Sequence, residues 1–197
     1  MKNIILIAAL TATTVAQTLF ARCGKDSTVS PTQTAIVKAD SAAVKDSAAS
    51  KDPLDAVFTA YLKLKNALTK DDGITASAGA KELYKAVDKA PMDKMTAAQH
   101  TAWMKYSEKL SYDAEHIKET TDLEHQREHF ISLSKNMYAV EKAFNTNSAT
   151  VYYQFCPMAN DGKGAYWLSE KEKISNPYFG KKMATCGSTK ETLNVAK

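Results

Sequence analysis

What this chain lacks narrows it first. It has no Gly-rich phosphate loop and no nucleophile elbow, so the common catalytic constellations find no support and no catalytic residue is assigned. Basic side chains form no stripe, which argues against nucleic acid as a partner. The apolar run Ile4-Ile5-Leu6-Ile7-Ala8-Ala9-Leu10 is too short to span a bilayer as a mature helix. Cysteine is scarce: 3 residues, Cys23, Cys156 and Cys186, leave one without a partner if the other two pair.

The N-terminal 22 residues have the layout of a secretory signal, with Lys2 ahead of the apolar run and small and polar residues behind it. Two processing outcomes compete. Signal peptidase could cut after Ala21, or the chain could be cut before Cys23 and lipidated on its thiol. Leu19-Phe20-Ala21-Arg22-Cys23 has the Leu-x-x-x-Cys spacing of a bacterial lipobox, although Arg22 stands where a small residue is usual. An unpaired cysteine in an exported chain favours lipidation of Cys23, and so does the composition of the stretch C-terminal to it. Residues 24–52 are mostly Ser, Thr, Ala, Lys and Asp without one aromatic side chain. Such a stretch cannot bury enough apolar area to offset its ordering entropy. Residues 23–52 therefore read as a disordered tether holding a domain off a membrane, in the periplasm or cell envelope. Removing Lys2 and Arg22 from the 26 basic residues leaves 24 against 22 acidic ones, a near-neutral balance.

Residues 53–197 have the length of one domain. Helical periodicity dominates to about Asn145. Asp52-Pro53 reads as an N-cap with proline at the first helical position, and Leu54, Val57, Phe58, Tyr61, Leu62 and Leu68 then mark one face. Asp71-Asp72-Gly73 breaks that helix. A second runs from about Ile74 to Lys89 with Leu83, Tyr84 and Val87 inward. Thr96-x-x-Gln99 has the capping-box form ahead of a third, striped by Trp103, Tyr106, Leu110 and Ile117; Thr121-x-x-Glu124 repeats it ahead of a fourth, with Leu123, Phe130, Leu133, Met137, Val140 and Phe144. Short turns between four amphipathic helices predict an all-α fold, an antiparallel four-helix bundle. After Asn147 the chain turns β-branched and aromatic and is punctuated by Gly and Pro, predicting an irregular or short-strand segment packed on the bundle. That packing would bring Cys156 and Cys186 together.

Val151-Tyr152 through Cys156-Pro157-Met158-Ala159, Trp167-Leu168-Ser169, Asn176-Pro177-Tyr178-Phe179-Gly180, Met183-x-x-Cys186-Gly187 and, upstream, Arg127-x-x-Phe130-x-x-Leu133-Ser134 together resemble the domain of unknown function 3347 family, over roughly residues 54–195. The resemblance implies a Gram-negative envelope domain, found alone or attached to periplasmic adaptor subunits of heavy-metal efflux pumps, with a suspected role in binding copper or related ions. A periplasmic efflux adaptor is then the expected partner, beside the membrane reached through the lipid anchor.

Two chemistries fit the sulfur residues. Cys156, Met158, Met183 and Cys186 could hold Cu(I) or another soft metal, thiolate and thioether being its preferred donors, with His129 completing or replacing one of them. The Cys-Pro-Met-His motif of metal-transport proteins has histidine where this chain has Ala159. Alternatively Cys156 and Cys186 form a disulfide, stabilising by roughly 3–4 kcal/mol in the chain-entropy model, with the methionines as core fillers and the domain an interaction module without metal. His125-Gln126-Arg127-Glu128-His129 also matches the inverted zinc-peptidase motif. Families using that motif are larger and add a further acidic ligand and a cleft, so no enzyme is expected.

Overall fold

The computed structural model describes residues 53–144 and 149–193. The expected signal, the lipidation site Cys23 and the tether lie outside the described residues. Helix α1 spans Asp55–Leu68, α2 Gly73–Asp88, α3 Ala97–Lys118 and α4 Leu123–Phe144. Strands β1 (Val151–Cys156), β2 (Ala165–Ser169) and β3 (Ser188–Leu193) complete it. Four helices packed together thus carry a small antiparallel sheet at the C-terminus, in the order β2-β1-β3. Among the described residues no helix is long and apolar enough to cross a membrane.

Capping chemistry sets the helix boundaries. Helix α1 begins at Asp55, after a turn at Pro53 and Leu54, and no side chain caps it. Asp72 ends the break after α1 by capping α2, its carboxylate accepting from the Thr75 N–H at 2.9 Å and from the Thr75 hydroxyl at 2.6 Å. At α3 the expected box forms on both sides: Thr96 Oγ1 accepts from the Gln99 N–H and Gln99 Oε1 accepts from the Thr96 N–H. Helix α4 departs from expectation. Asp122 Oδ1, one residue past Thr121, accepts from the Glu124 N–H at 2.8 Å. A carboxylate outcompetes a hydroxyl for an orphan helix donor, because the bond is charge-assisted.

The apolar stripes converge on one core holding Val57, Tyr61, Leu64, Leu68, Leu83, Trp103, Leu110, Ile117, Phe130, Leu133, Met137 and Val140. Helices α1 and α2 meet through small residues, Ala76, Gly79 and Ala80, all buried. The sheet joins that core through Trp167 and Leu168 of β2, both fully buried. Its other aromatics stack on one another and on α4: Tyr138 on Tyr153 at 3.7 Å between ring centres, Tyr153 on Tyr166 at 4.7 Å, and Tyr166 against Phe155 at 4.4 Å. Strand β3 is tied down from α4 by Glu191, which bonds the Tyr138 hydroxyl and pairs with Lys142.

Gly79 tests the α1–α2 seam. A Cβ there would sit 2.9 Å from the Leu64 amide nitrogen and 3.0 Å from its Cα, backbone atoms that cannot swing aside. Overpacking of about 1–3 kcal/mol therefore opposes the roughly 1 kcal/mol that alanine gains in helix propensity. We expect Gly79→Ala to destabilise the domain by about 1–2 kcal/mol in urea unfolding; a gain in stability would show that the seam relaxes.

Candidate functional site

Strand β1 lies in the middle of the sheet and pairs with β2 from Tyr152↔Ser169 to Cys156↔Ala165. Cys156, its last residue, turns inward and is fully buried. Cys186 arrives from the far end of the 170–187 loop, directly after the short 3₁₀ helix Gly180–Met183. The two Sγ atoms stand 3.0 Å apart, and neither cysteine is otherwise bonded to sulfur. The contact with Cys156, and then burial, push the Cys186 thiol above its ordinary range.

The loop that delivers Cys186 is clamped at several points. Buried Asn176 donates from Nδ2 to the Cys186 carbonyl at 2.8 Å, and its Oδ1 accepts from the N–H groups of Tyr178 and Phe179. Its own N–H donates to the Ala184 carbonyl at 2.9 Å. Arg127 of α4 donates to the Pro177 carbonyl, the Leu68 carbonyl and Asp71 Oδ1. Asp71 also accepts from the Lys181 N–H at 3.0 Å. Gly180, at φ 52°, fits there because a Cβ would stand 1.8 Å from Asp71 Oδ1. Gly187 lets the chain pass the Phe155 carbonyl and the Trp167 ring, which a Cβ would meet at 2.8 and 3.0 Å.

The thioethers are placed differently from the thiols. Met158 is 56 % exposed and lines an open groove of about 720 Å³ with Arg127, Ile131, Asp161, Phe179 and Lys182. Neither cysteine lines that groove. Met183 is half-buried, and its carbonyl accepts from the Cys186 N–H, so it belongs to the same turn as that thiol.

His129 stands in other company. Its Nδ1 lies 3.2 Å from Oδ1 of buried Asp113, and its ring lies 4.5 Å from His116 and 4.8 Å from His125. Asp113 also accepts from the Ser132 hydroxyl at 2.7 Å. Periodicity and motif spacing single out His125 and His129 but miss Asp113 and His116. A short reversal at residues 119–122 places the last turns of α3 against the first of α4, so counting outward from that link would have matched His116 with His125. Among the described residues, no group of three His, Cys, Asp or Glu side chains is arranged to hold a metal ion.

Two carboxylates fix the loop and predict an acid sensitivity. The Lys181 N–H and the Arg127 guanidinium hold Asp71 below its ordinary range. Burial pushes Glu170 up, but Lys65 at 2.7 Å and the Asn66 amide at 3.0 Å more than offset this, leaving it lowered overall. A carboxyl whose folded pKa is depressed adds stability that is full above its unfolded value and is lost as pH falls through the folded value. The urea midpoint should therefore drop from about pH 5 downward, and Asp71→Asn should flatten the drop while costing about 1–2 kcal/mol at pH 7. An acid limb of unchanged slope in the variant would remove Asp71 from this account.

Neither a curated protein nor a solved structure matches the chain. The family model of a protein of unknown function, DUF3347, matches residues 57–149. The match runs from α1 through α4 and ends before β1, so the cysteine-bearing segment lies beyond it. It includes Arg127, Phe130, Leu133 and Ser134, whose side chains bind the C-terminal loop, fill the core and meet Tyr61. Over residues 57–149 the chain is thus similar to the DUF3347 family of proteins of unknown function.

Proposed function

We propose that this domain is an envelope protein that takes up a soft metal ion, Cu(I) foremost, on the reduced pair Cys156 and Cys186. The observation that carries the reading is the meeting of two thiols 30 residues apart in sequence, with Sγ atoms at 3.0 Å. Thiolates are the donors that select Cu(I) over harder ions. A structural zinc site needs four ligands, which this pair alone does not supply. Met183, in the turn of Cys186, and Met158, two residues past Cys156, remain the candidate thioether donors. The sulfurs must part to admit an ion: at metal–sulfur distances of about 2.3 Å, two bridged thiolates stand roughly 4 Å apart.

The wider setting is part of the same proposal. We read the four packed helices as an antiparallel bundle, residues 1–22 as an export signal, Cys23 as a lipid attachment site and residues 24–52 as its tether. On this reading the domain serves envelope metal handling or efflux beside a periplasmic adaptor, and it performs no catalysis.

A second reading rests on the full burial of Cys156. In an oxidising compartment the two thiols give up two protons and two electrons to a thiol oxidant and join as a disulfide. The domain is then a stapled interaction module without metal. The two readings meet in a redox-gated site, able to bind only when reduced.

Native mass spectrometry of the exported chain, as isolated and after reduction with Cu(I) or Ag(I) offered, tests this. We expect a one-ion adduct only after reduction, lost in Cys156→Ser and weakened in Met158→Leu/Met183→Leu, where volume is conserved. Trp167, beside Gly187, should report the same event as a change in its fluorescence. A chain two hydrogens lighter as isolated that takes up no metal after reduction would leave the staple as its role. Full Cu(I) affinity in the double methionine variant would remove the thioethers from the site.

A further inference from the structure

We propose a second metal site, built of nitrogen and separate from the sulfur pair, in which His116, His125 and His129 take a borderline divalent ion such as Zn(II), Ni(II) or Cu(II). The argument starts from the hydrogen bonds of the rings. His116 Nδ1 lies 3.0 Å from the Tyr112 carbonyl oxygen. His129 Nδ1 lies 3.2 Å from Asp113 Oδ1. A carbonyl only accepts, and so does an ionised carboxylate, so in both rings Nδ1 is the donor. In the neutral imidazole the lone pair then sits on Nε2, the form and the atom that bind a metal. A carboxylate holding the far nitrogen of a ligating histidine is the usual support around such sites.

The spacing of the rings fits the same use. His125 and His129 are four residues apart and share one face of α4, with ring centres 4.8 Å apart. His116 reaches over from α3 and stacks on His129 at 4.5 Å with the ring planes 25° apart. Two imidazole nitrogens on one tetrahedral ion stand about 3.3 Å apart, given a metal–nitrogen distance of about 2.0 Å. Because imidazole lone pairs lie in the ring planes, the stacked rings must turn out of their stack to aim both Nε2 atoms at one ion. No three donors converge as the rings now stand, so the ion itself must draw the third one in. His125 has room to turn: its side chain is 45 % exposed and is met by a loose 3.8 Å approach to Glu128 and the edge-on contact with the His129 ring. His129, 18 % exposed, is the fixed member, because Asp113 beneath it is 5 % exposed and also held by Ser132. Imidazole suits zinc, nickel and copper(II), whereas the thiols select Cu(I).

The site is tested on the full chain by titrating Zn(II) while following imidazole nitrogens in long-range proton–nitrogen NMR spectra. His116, His125 and His129 should shift at Nε2 in step, while His100, which shares no ring contact with them, should stay unmoved. Calorimetry should show one ion bound, at least tenfold weaker in His129→Ala and in His116→Gln. Asp113→Asn should weaken it by about 10-fold to 100-fold, because Asp113 positions a ligand. Circular dichroism confirms that each variant is folded, and exposed His125→Ala supplies a further test if a buried change fails to fold. Zn(II) that binds without moving the three imidazoles, or with undiminished affinity in folded His129→Ala, overturns the site and leaves the sulfur proposal untouched. Undiminished Cu(I) uptake in Cys156→Ser with the imidazole shifts intact has the converse meaning.

Discussion

The hydroxyl of Tyr61 is the point on which the architecture turns. Its ring is fully buried in α1, stacked at 5.5 Å on Phe130 of α4. Its oxygen lies 2.9 Å from Ser134 Oγ and accepts from the Leu168 N–H of β2 at 3.0 Å. Either hydroxyl can donate in the bond between Tyr61 and Ser134. One side chain thus joins the first helix, the fourth helix and the sheet, and burial pushes its ionisation well above the ordinary range, keeping it a donor. Removing the Tyr61 hydroxyl would strand the buried Leu168 N–H in a dry core, at about 1–3 kcal/mol. Lys65, one turn further along α1, repeats the pattern with a charge: it is 1 % exposed and held by Glu170 just beyond β2. Burial lowers the Lys65 pKa, and the contact with Glu170 works against that. Through this face of α1 the C-terminal segment, and with it Cys156, takes its position.

The legible parts of the fold were those encoded within a few residues. Periodic apolar stripes gave four helices, and the Thr96 and Gln99 pair closed its capping box because both partners lie within one turn. Thr121 misled because Asp122, its neighbour, is the stronger acceptor. The aromatic and glycine-rich tail was readable as short strands that bring the cysteines together, but not as a sheet with β1 at its centre. Contacts spanning a hundred residues left no local trace. Lys65 looks like any helical lysine until Glu170 is placed beside it, 105 positions away. The candidate site was legible in the same proportion: the two thiols meet, while the groove holding Met158 and the company kept by His129 depend on tertiary packing.

Helix α4 carries two registers of information at once. Gln126, Arg127, Phe130, Leu133, Ser134 and Met137 face the core and the C-terminal loop, and Arg127 alone grips two carbonyls and Asp71. His125, Glu128, His129 and Ser132 lie on the side turned to α3 and solvent. In the run His125-Gln126-Arg127-Glu128-His129 the fixed motif positions, His125, Glu128 and His129, share this second face, and the variable positions Gln126 and Arg127 lie on the first. Separated by helical phase, Gln126 and Arg127 serve architecture, and His125, Glu128 and His129 remain together on the other face. The same separation gives the Asn176 to Gly180 motif its meaning, since each of its members fixes the loop that delivers Cys186 and none meets a histidine.

Thiols and imidazoles kept in separate neighbourhoods behave differently from a single mixed site. A shared site of both donor types would bind soft and borderline ions in competition, and oxidation of either cysteine would silence it for both. Here a disulfide between Cys156 and Cys186 removes the soft donors while leaving every imidazole nitrogen as it was, because a two-electron change in sulfur does not touch the Asp113 and Tyr112 acceptors that set the histidine tautomers. If both proposed sites bind, compartment redox state would govern one class of ion and leave the other to mass action. Burial differs between the two: Cys156, at the end of the central strand, is fully buried beside half-buried Cys186, whereas the His125 side chain is 45 % exposed near the start of α4. Slow, redox-gated uptake of a soft ion and fast, ungated uptake of a borderline one are the kinetic signatures that the two proposed sites would show.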